Sequence, residues 1–100
     1  MVKAVLCGIP TADGRRYVGR VGTGFATAER RALAALLRRL QTPVSPFTTP
    51  VAGIPRGELL AFTRPELTAE VEYLDWTKAG RLRQPVWRAL RGLDQDRPLL

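Results

Sequence analysis

Leu33, Leu36, Leu37 and Leu40 recur at i, i+3, i+4 and i+7, one apolar stripe of helical period. The rest of the chain alternates with period two or is broken by proline and glycine, so one helix must be set among strands. Thr27 precedes the stripe as a suitable N-cap, and Glu29 places a carboxylate in the first turn. Pro43 ends the element. Arg30, Arg31, Arg38 and Arg39 lie largely off the leucine stripe.

Residues 2–9 are β-branched and apolar and read as a strand that stops at Pro10. Thr11-Ala12-Asp13-Gly14 carries the Asp-Gly pair that favours a hairpin. The return strand, 15–21, alternates: Tyr17, Gly19 and Val21 share one face, Arg16, Val18 and Arg20 the other. Those two arginines fit a solvated face or a phosphate track, and the strand alone does not decide. Residues 42–57 hold four prolines and two glycines and form a loop. Strand character resumes at 59–63. A longer strand over 67–77 places Leu67, Ala69, Val71 and Tyr73 opposite Thr68, Glu70 and Glu72. Lys78-Ala79-Gly80 turns the chain into 81–91, interrupted at Pro85. The expected fold is therefore mainly β with one helix, a single domain over 1–100. A small partly closed β-barrel of OB-fold type fits this order and is a common oligonucleotide binder.

Charge narrows the function. Sixteen Lys and Arg stand against nine Asp and Glu, a net +7, and fourteen of the sixteen are arginine. The first fifty residues carry +6 and the last fifty +1. A GC-rich codon bias accounts for Arg over Lys but not for the scarcity of acids in the first half. Arginine's flat fork suits phosphate, so a polyanion is the expected partner. The chain has no histidine, which removes the commonest metal ligand and the usual general base near neutral pH. Cys7 stands alone in an apolar stretch and is expected to be a structural thiol. No apolar run approaches the roughly 18 residues that span a bilayer, and a cytoplasmic protein is expected.

Individual motifs are less decisive. Gly22-x-Gly24 stands between strand and helix, where a dinucleotide fingerprint would stand, but Thr27 takes the place of the third glycine. The glycines suit a sharp exit from the strand, and the helix N-terminus beside them is a candidate phosphate contact. Glu70, Glu72 and Asp75 suggest a carboxylate or metal site, yet amid so many arginines surface ion pairs are expected. Trp76 and Trp87 fit core packing or base stacking. Arg81, Arg83, Arg88 and Arg91 form the densest basic cluster outside the helix.

Several of these segments together resemble ATP-dependent DNA ligases, especially bacterial ligases of non-homologous end joining. Arg16-Tyr17-Val18-Gly19-Arg20-Val21-Gly22-Thr23-Gly24-Phe25 is similar to the strand and turn that open the helix of their OB domain. Ser45-Pro46-Phe47 matches a short loop element. Arg64-Pro65-Glu66-Leu67, then Ala69-Glu70-Val71-Glu72-Tyr73 with Trp76-Thr77, is similar to their long strand. Residues 80–91, Gly-Arg-Leu-Arg-Gln-Pro-Val-Trp-Arg-Ala-Leu-Arg, resemble the start of ligase motif VI. The matches run in order from about residue 2 to 91.

The resemblance implies a domain that closes over ATP during lysine adenylation, then swings round to clamp duplex DNA at a nick. It places Arg91 at the motif VI phosphate contact, with Arg97 the candidate substitute for the motif's terminal lysine. It places Arg83 and Gln84 in the minor groove near the nick. Arg16 and Arg20 on the strand face, and Thr23 and Gly24 beside the helix N-terminus, are expected as further DNA contacts. The adenylated lysine belongs to a nucleotidyltransferase domain, expected in cis or in trans, so no catalytic residue is expected in this chain. ATP and Mg2+ are implied for the complete ligase and no cofactor for the domain alone. The bacterial nucleoid is the implied location. The family also has one more strand upstream of residue 2, so an exposed edge strand and a homodimer across it are expected. The rival readings are a stand-alone DNA- or RNA-binding OB protein and an oligomeric structural protein.

Overall fold

A computed structural model describes residues 2–91. Its elements run β1 (Val5–Thr11), β2 (Gly14–Val21), α1 (Thr27–Arg39), β3 (Gln41–Thr42), β4 (Phe62–Thr63), β5 (Thr68–Glu72), β6 (Asp75–Trp76), β7 (Leu82–Arg83) and β8 (Val86–Arg91). Four antiparallel pairs result: β1 with β2, β3 with β4, β5 with β8 and β6 with β7. The mostly-strand, one-helix architecture matches expectation. Arg97 lies outside the described residues.

Several expected boundaries move, each for a local reason. The first strand begins at Val5 rather than at residue 2, where the Arg30 guanidinium takes the carbonyls of Val2 and Lys3 at 2.9 and 2.8 Å. The N-cap of α1 is Ala26, not Thr27, because the Glu29 carboxylate reaches back to accept from the Ala26 N–H. The helix stops at Arg39, well before Pro43, since residues 41–42 turn away to pair with β4. The expected strand over 59–63 shortens to Phe62–Thr63, with Leu59 and Leu60 exposed. The expected strand over 67–77 divides into β5 and β6, and the Leu74 N–H between them bonds to the Arg83 carbonyl.

Bulges break the expected alternation. Pairing jumps from Cys7↔Gly19 to Gly8↔Tyr17, so Val18 is an extra residue. Tyr17 and Val18 are consequently both buried, at 1% and 2% exposure, where strict alternation would have turned one outward. A second shift between Glu70 and Val71 makes Arg88 the extra residue on β8.

Val21, Leu33, Trp87 and Leu90 form the buried core, with Val5, Cys7, Phe25, Leu36, Leu37, Leu67 and Val71 packed around it. Trp87 stacks on Phe25 at 4.7 Å and donates its indole N–H to Glu29 at 3.2 Å, which makes it a core residue and removes it as a stacking platform. Cys7 is half-buried against this core, and burial pushes its thiol up to about 11, as befits a structural cysteine. The proline-rich loop is fastened down: the Tyr17 N–H bonds to Thr49 Oγ1, the Tyr17 hydroxyl donates to the Ala52 carbonyl, and Phe47 packs edge-on against the Tyr17 ring. Among the described residues β1 pairs only with β2 and β5 only with β8, so no closed barrel forms. A cavity of about 970 Å³ lies open instead, lined by Leu6 and Ile9 of β1, Val71 of β5, and Leu60, Phe62 and Leu67.

Gly24 holds the seam between β8 and the start of α1. Its φ is +97°, and a Cβ there would collide with the Trp87 carbonyl and lie 2.8 Å from the Trp87 nitrogen and from Val86 Cγ1. Left-handed strain and backbone collision act together, so Gly24→Ala should cost about 2–4 kcal/mol of stability. Urea unfolding with far-UV circular dichroism measures it; an unchanged midpoint would show that the seam yields freely.

Candidate nucleic-acid interface

The arginine cluster of the β6–β8 region is organised by its own acids. Arg83 Nε meets Asp75 Oδ1 at 2.6 Å, Arg88 pairs with Glu72, and Arg91 Nη2 meets Glu70 Oε2 at 2.9 Å. The three carboxylates are therefore surface ion pairs, as expected. No group of three or more His, Cys, Asp or Glu able to hold a metal occurs among the described residues. The bulge at Arg88 sets the diagonal spacing of the ladder. These pairs are more than half exposed on at least one side, and each contributes little to stability. Their chemical consequence is that the guanidinium groups are pre-oriented and partly neutralised.

Beside the ladder lies an aromatic patch. Trp76, in β6, pairs with Leu82 while its neighbour Asp75 pairs with Arg83. Trp76 is 40% exposed and Tyr73 44%, and their rings meet edge to face at 5.5 Å. The Arg16 guanidinium sits over the Trp76 ring at 5.6 Å, and its Nε is buried without a hydrogen-bond partner. An Arg plane on an exposed indole is a surface on which a sugar or base can stack. Next to Arg83, at the sharp turn between β7 and β8, Gln84 is exposed with φ +52°, the one non-glycine residue described with positive φ. Such a conformation is unfavourable for glutamine and holds the turn tightly before Pro85.

Arg16 thus meets Trp76 on the face of β6 that borders the cavity, whereas Arg83 turns to Asp75 on the opposite face. Gln84 stands exposed at the turn after it, and Arg91 lies on β8. Arg20, Thr23 and Gly24 go elsewhere. Arg20 Nη2 is held by both Glu58 oxygens at 3.1 and 3.0 Å. The Thr23 carbonyl accepts from the Trp87 N–H at 2.9 Å, and Gly24 is packed against that same strand. The carboxylate of Glu29 already occupies the helix N-terminus, which disfavours a phosphate there. Arg81 leaves the cluster too: it donates to the Ala79 and Pro50 carbonyls and lies over Tyr17. The Tyr73–Trp76 patch was only half legible in sequence, since alternation assigned Tyr73 to the apolar face and left Trp76 open between core and surface.

With this geometry in place, comparison with known proteins is specific. A model of the ATP-dependent DNA ligase C-terminal region matches residues 1–93. The multifunctional non-homologous end joining protein LigD of Mycolicibacterium smegmatis is 47% identical over 91 residues, 90% of this chain and 12% of that protein. LigD of Pseudomonas aeruginosa is 32% identical over 103 residues, 97% of this chain and 11% of that protein. The crystal structure of the ligase domain from M. tuberculosis LigD superposes with a TM-score of 0.76 at 40% identity, covering 96% of this chain and 31% of that one. Mycobacterial DNA ligase D complexed with ATP and MES gives 0.77 at 40% identity, with the same coverage. The chain therefore spans only a small part of each relative.

Glu58 provides a pH test of where Arg20 is engaged. Partial burial pushes its carboxyl up, but hydrogen bonds from Arg20 and Lys3, and their charges, outweigh that and hold it below its ordinary 4.5. A depressed folded value contributes stability above about 4.5 that is lost as pH falls through the lowered value. The difference in unfolding midpoint between the parent and Glu58→Gln should be present at pH 6 and vanish in acid. A difference that stays constant across that range would show that the Arg20–Glu58 pair does not form.

Proposed function

The chain belongs to the family of ATP-dependent DNA ligase C-terminal regions, and from that premise we propose that it clamps duplex DNA at a nick for a nucleotidyltransferase domain. The observation that carries this is the exposed Arg83–Gln84 turn, its guanidinium pre-oriented by Asp75 and its glutamine projecting at φ +52°. A projecting polar pair of this kind suits a groove walled by sugar and phosphate, with Arg83 and Gln84 reaching inward. Asp75 holds Arg83 until DNA phosphate or a base edge replaces it.

Arg91 is proposed to orient the triphosphate of ATP during lysine adenylation. The donor chemistry fits: it is a half-buried guanidinium fork with Glu70 on one nitrogen, which a phosphate oxygen can displace. Arg97, outside the described residues, is proposed to act with it. ATP and Mg2+ belong to the assembled ligase, whose nucleotidyltransferase domain, in cis or in trans, supplies the lysine and the bond-forming chemistry. This chain's contribution is binding and orientation. The setting proposed is cytoplasmic DNA end joining at the bacterial nucleoid; no helix among the described residues is long and apolar enough to cross a membrane.

The open side of the fold favours a further strand on β1. Its outer edge has no partner among the described residues and adjoins the apolar cavity. Such an edge accepts a strand from the neighbouring ligase domain or from a second copy. For the chain as it stands, we expect a dimer at micromolar concentration in sedimentation velocity. A monomer throughout would rule the second copy out.

Two arginines of like charge should separate by function when the domain is joined to its nucleotidyltransferase domain. Arg83→Ala should weaken binding to nicked duplex by about 1–3 kcal/mol and spare self-adenylation. Arg91→Ala should slow self-adenylation by orders of magnitude and spare sealing of pre-adenylated nicks. Equal failure of both variants in both assays would sink the two-position model.

A further inference from the structure

The cations not absorbed by the ladder point to a second surface. Arg31, Arg38 and Arg39 of α1 are exposed, and none makes an ion pair or side-chain hydrogen bond among the described residues. At 100° per residue, Arg38 lies about 20° from Arg31 and Arg39 about 80° from it. Leu33, Leu36, Leu37 and Leu40 fall on the opposite side, between about 140° and 240°. Leu33 is fully buried, so Arg31 and Arg39 point away from the core, while the exposed Arg38 stands at the rim of the open cavity. Between the arginines stand only Ala28 and Ala35, both exposed, which leave nothing to shield the charge or hold a partner off. The one acid of the helix, Glu29, turns to the other side and is engaged by Trp87 and Ala26.

We propose that this outer face of α1 is a second phosphate-binding surface, which holds the sugar–phosphate backbone of duplex DNA apart from the Arg83–Gln84 turn. Three clustered guanidinium groups repel one another until an anion neutralises them. Arg31 and Arg38 are two turns apart, about 10.5 Å along the axis, so they engage separate phosphates. A protein partner would need an apolar or aromatic anchor at the centre of its contact, and this face offers only alanine. A polyanion of regularly spaced charge needs none. The proposal rests on the reading of the chain as a duplex-binding domain and adds a face that confers affinity without nick recognition.

The test uses the chain itself and a fluorescein-labelled duplex without a nick, followed by anisotropy over a range of salt. Changing Arg31, Arg38 and Arg39 together to Gln keeps helix propensity and should leave the circular dichroism spectrum unchanged. Affinity at low salt should fall at least tenfold, and the slope of log K against log salt should shrink by about 2–3, at roughly 0.9 per phosphate. Changing the same three residues to Lys should restore most of the slope. A control that removes three unpaired cations elsewhere, Arg15, Arg56 and Lys78 to Gln, should lose far less. An equal loss in the control, or no loss in the helix variant, overturns the proposal. So does a parent that prefers polyglutamate to duplex, since the partner would then be an acidic protein. The ratio of nicked to intact affinity separates the two readings: the helix variant should keep it and Arg83→Ala should lower it. A parent that binds nicked and intact duplex equally would count against the clamp and leave the α1 surface standing.

Discussion

Trp87 ties the last strand to the start of the helix, with Glu29 lying 58 residues away in sequence. Its ring stacks on Phe25, its indole N–H bonds to Glu29, and its backbone N–H bonds to the Thr23 carbonyl. Through these contacts β8 is locked to the first turn of α1, and the core of Val21, Leu33 and Leu90 closes around the junction. Only glycine fits at position 24, because the Trp87 backbone occupies the space a side chain would need. The rest follows from this seam: β8 carries Arg88 and Arg91 outward, pairs with β5, and so fixes where Glu70 and Glu72 meet them.

The consequence for function is a division of positive charge. On the strand side, Arg83, Arg88 and Arg91 are each held by a carboxylate of β5 or β6, so their approach to phosphate is an exchange of partners. On the helix side Arg30 is taken by backbone carbonyls, whereas Arg31, Arg38 and Arg39 make no ion pair among the described residues. Exchange favours a site that must be ordered before its ligand arrives and must release it afterwards. Unpaired charge favours long-range, salt-sensitive attraction.

The proline-rich segment is fastened to β2 by backbone and side-chain bonds from Thr48 and Thr49, and Glu58 joins it to Arg20 and Lys3. Arg20 is therefore structural, although its neighbour four residues back, Arg16, reaches the aromatic patch. Two arginines that share a strand face in a strict alternation are separated by the bulge at Val18.

Much was determined by the sequence alone. The leucine period defined α1, Asp13-Gly14 the first hairpin, the acid–arginine mixture of 70–91 the surface ion pairs, and the ordered motifs the ligase family. These are local or statistical properties, legible because helical period, turn chemistry and charge do not need a partner segment to act. Tertiary structure decided which arginines are engaged within the chain and which are left exposed. Bulges at Val18 and Arg88, the capture of Arg20 by Glu58 and of Arg30 by the Val2 and Lys3 carbonyls, and the split of 67–77 at Leu74 all depend on contacts between distant segments. An arginine's role is set by whether a carboxylate or carbonyl from elsewhere in the chain lies within reach of its fork, and that distance exists only once the chain has folded.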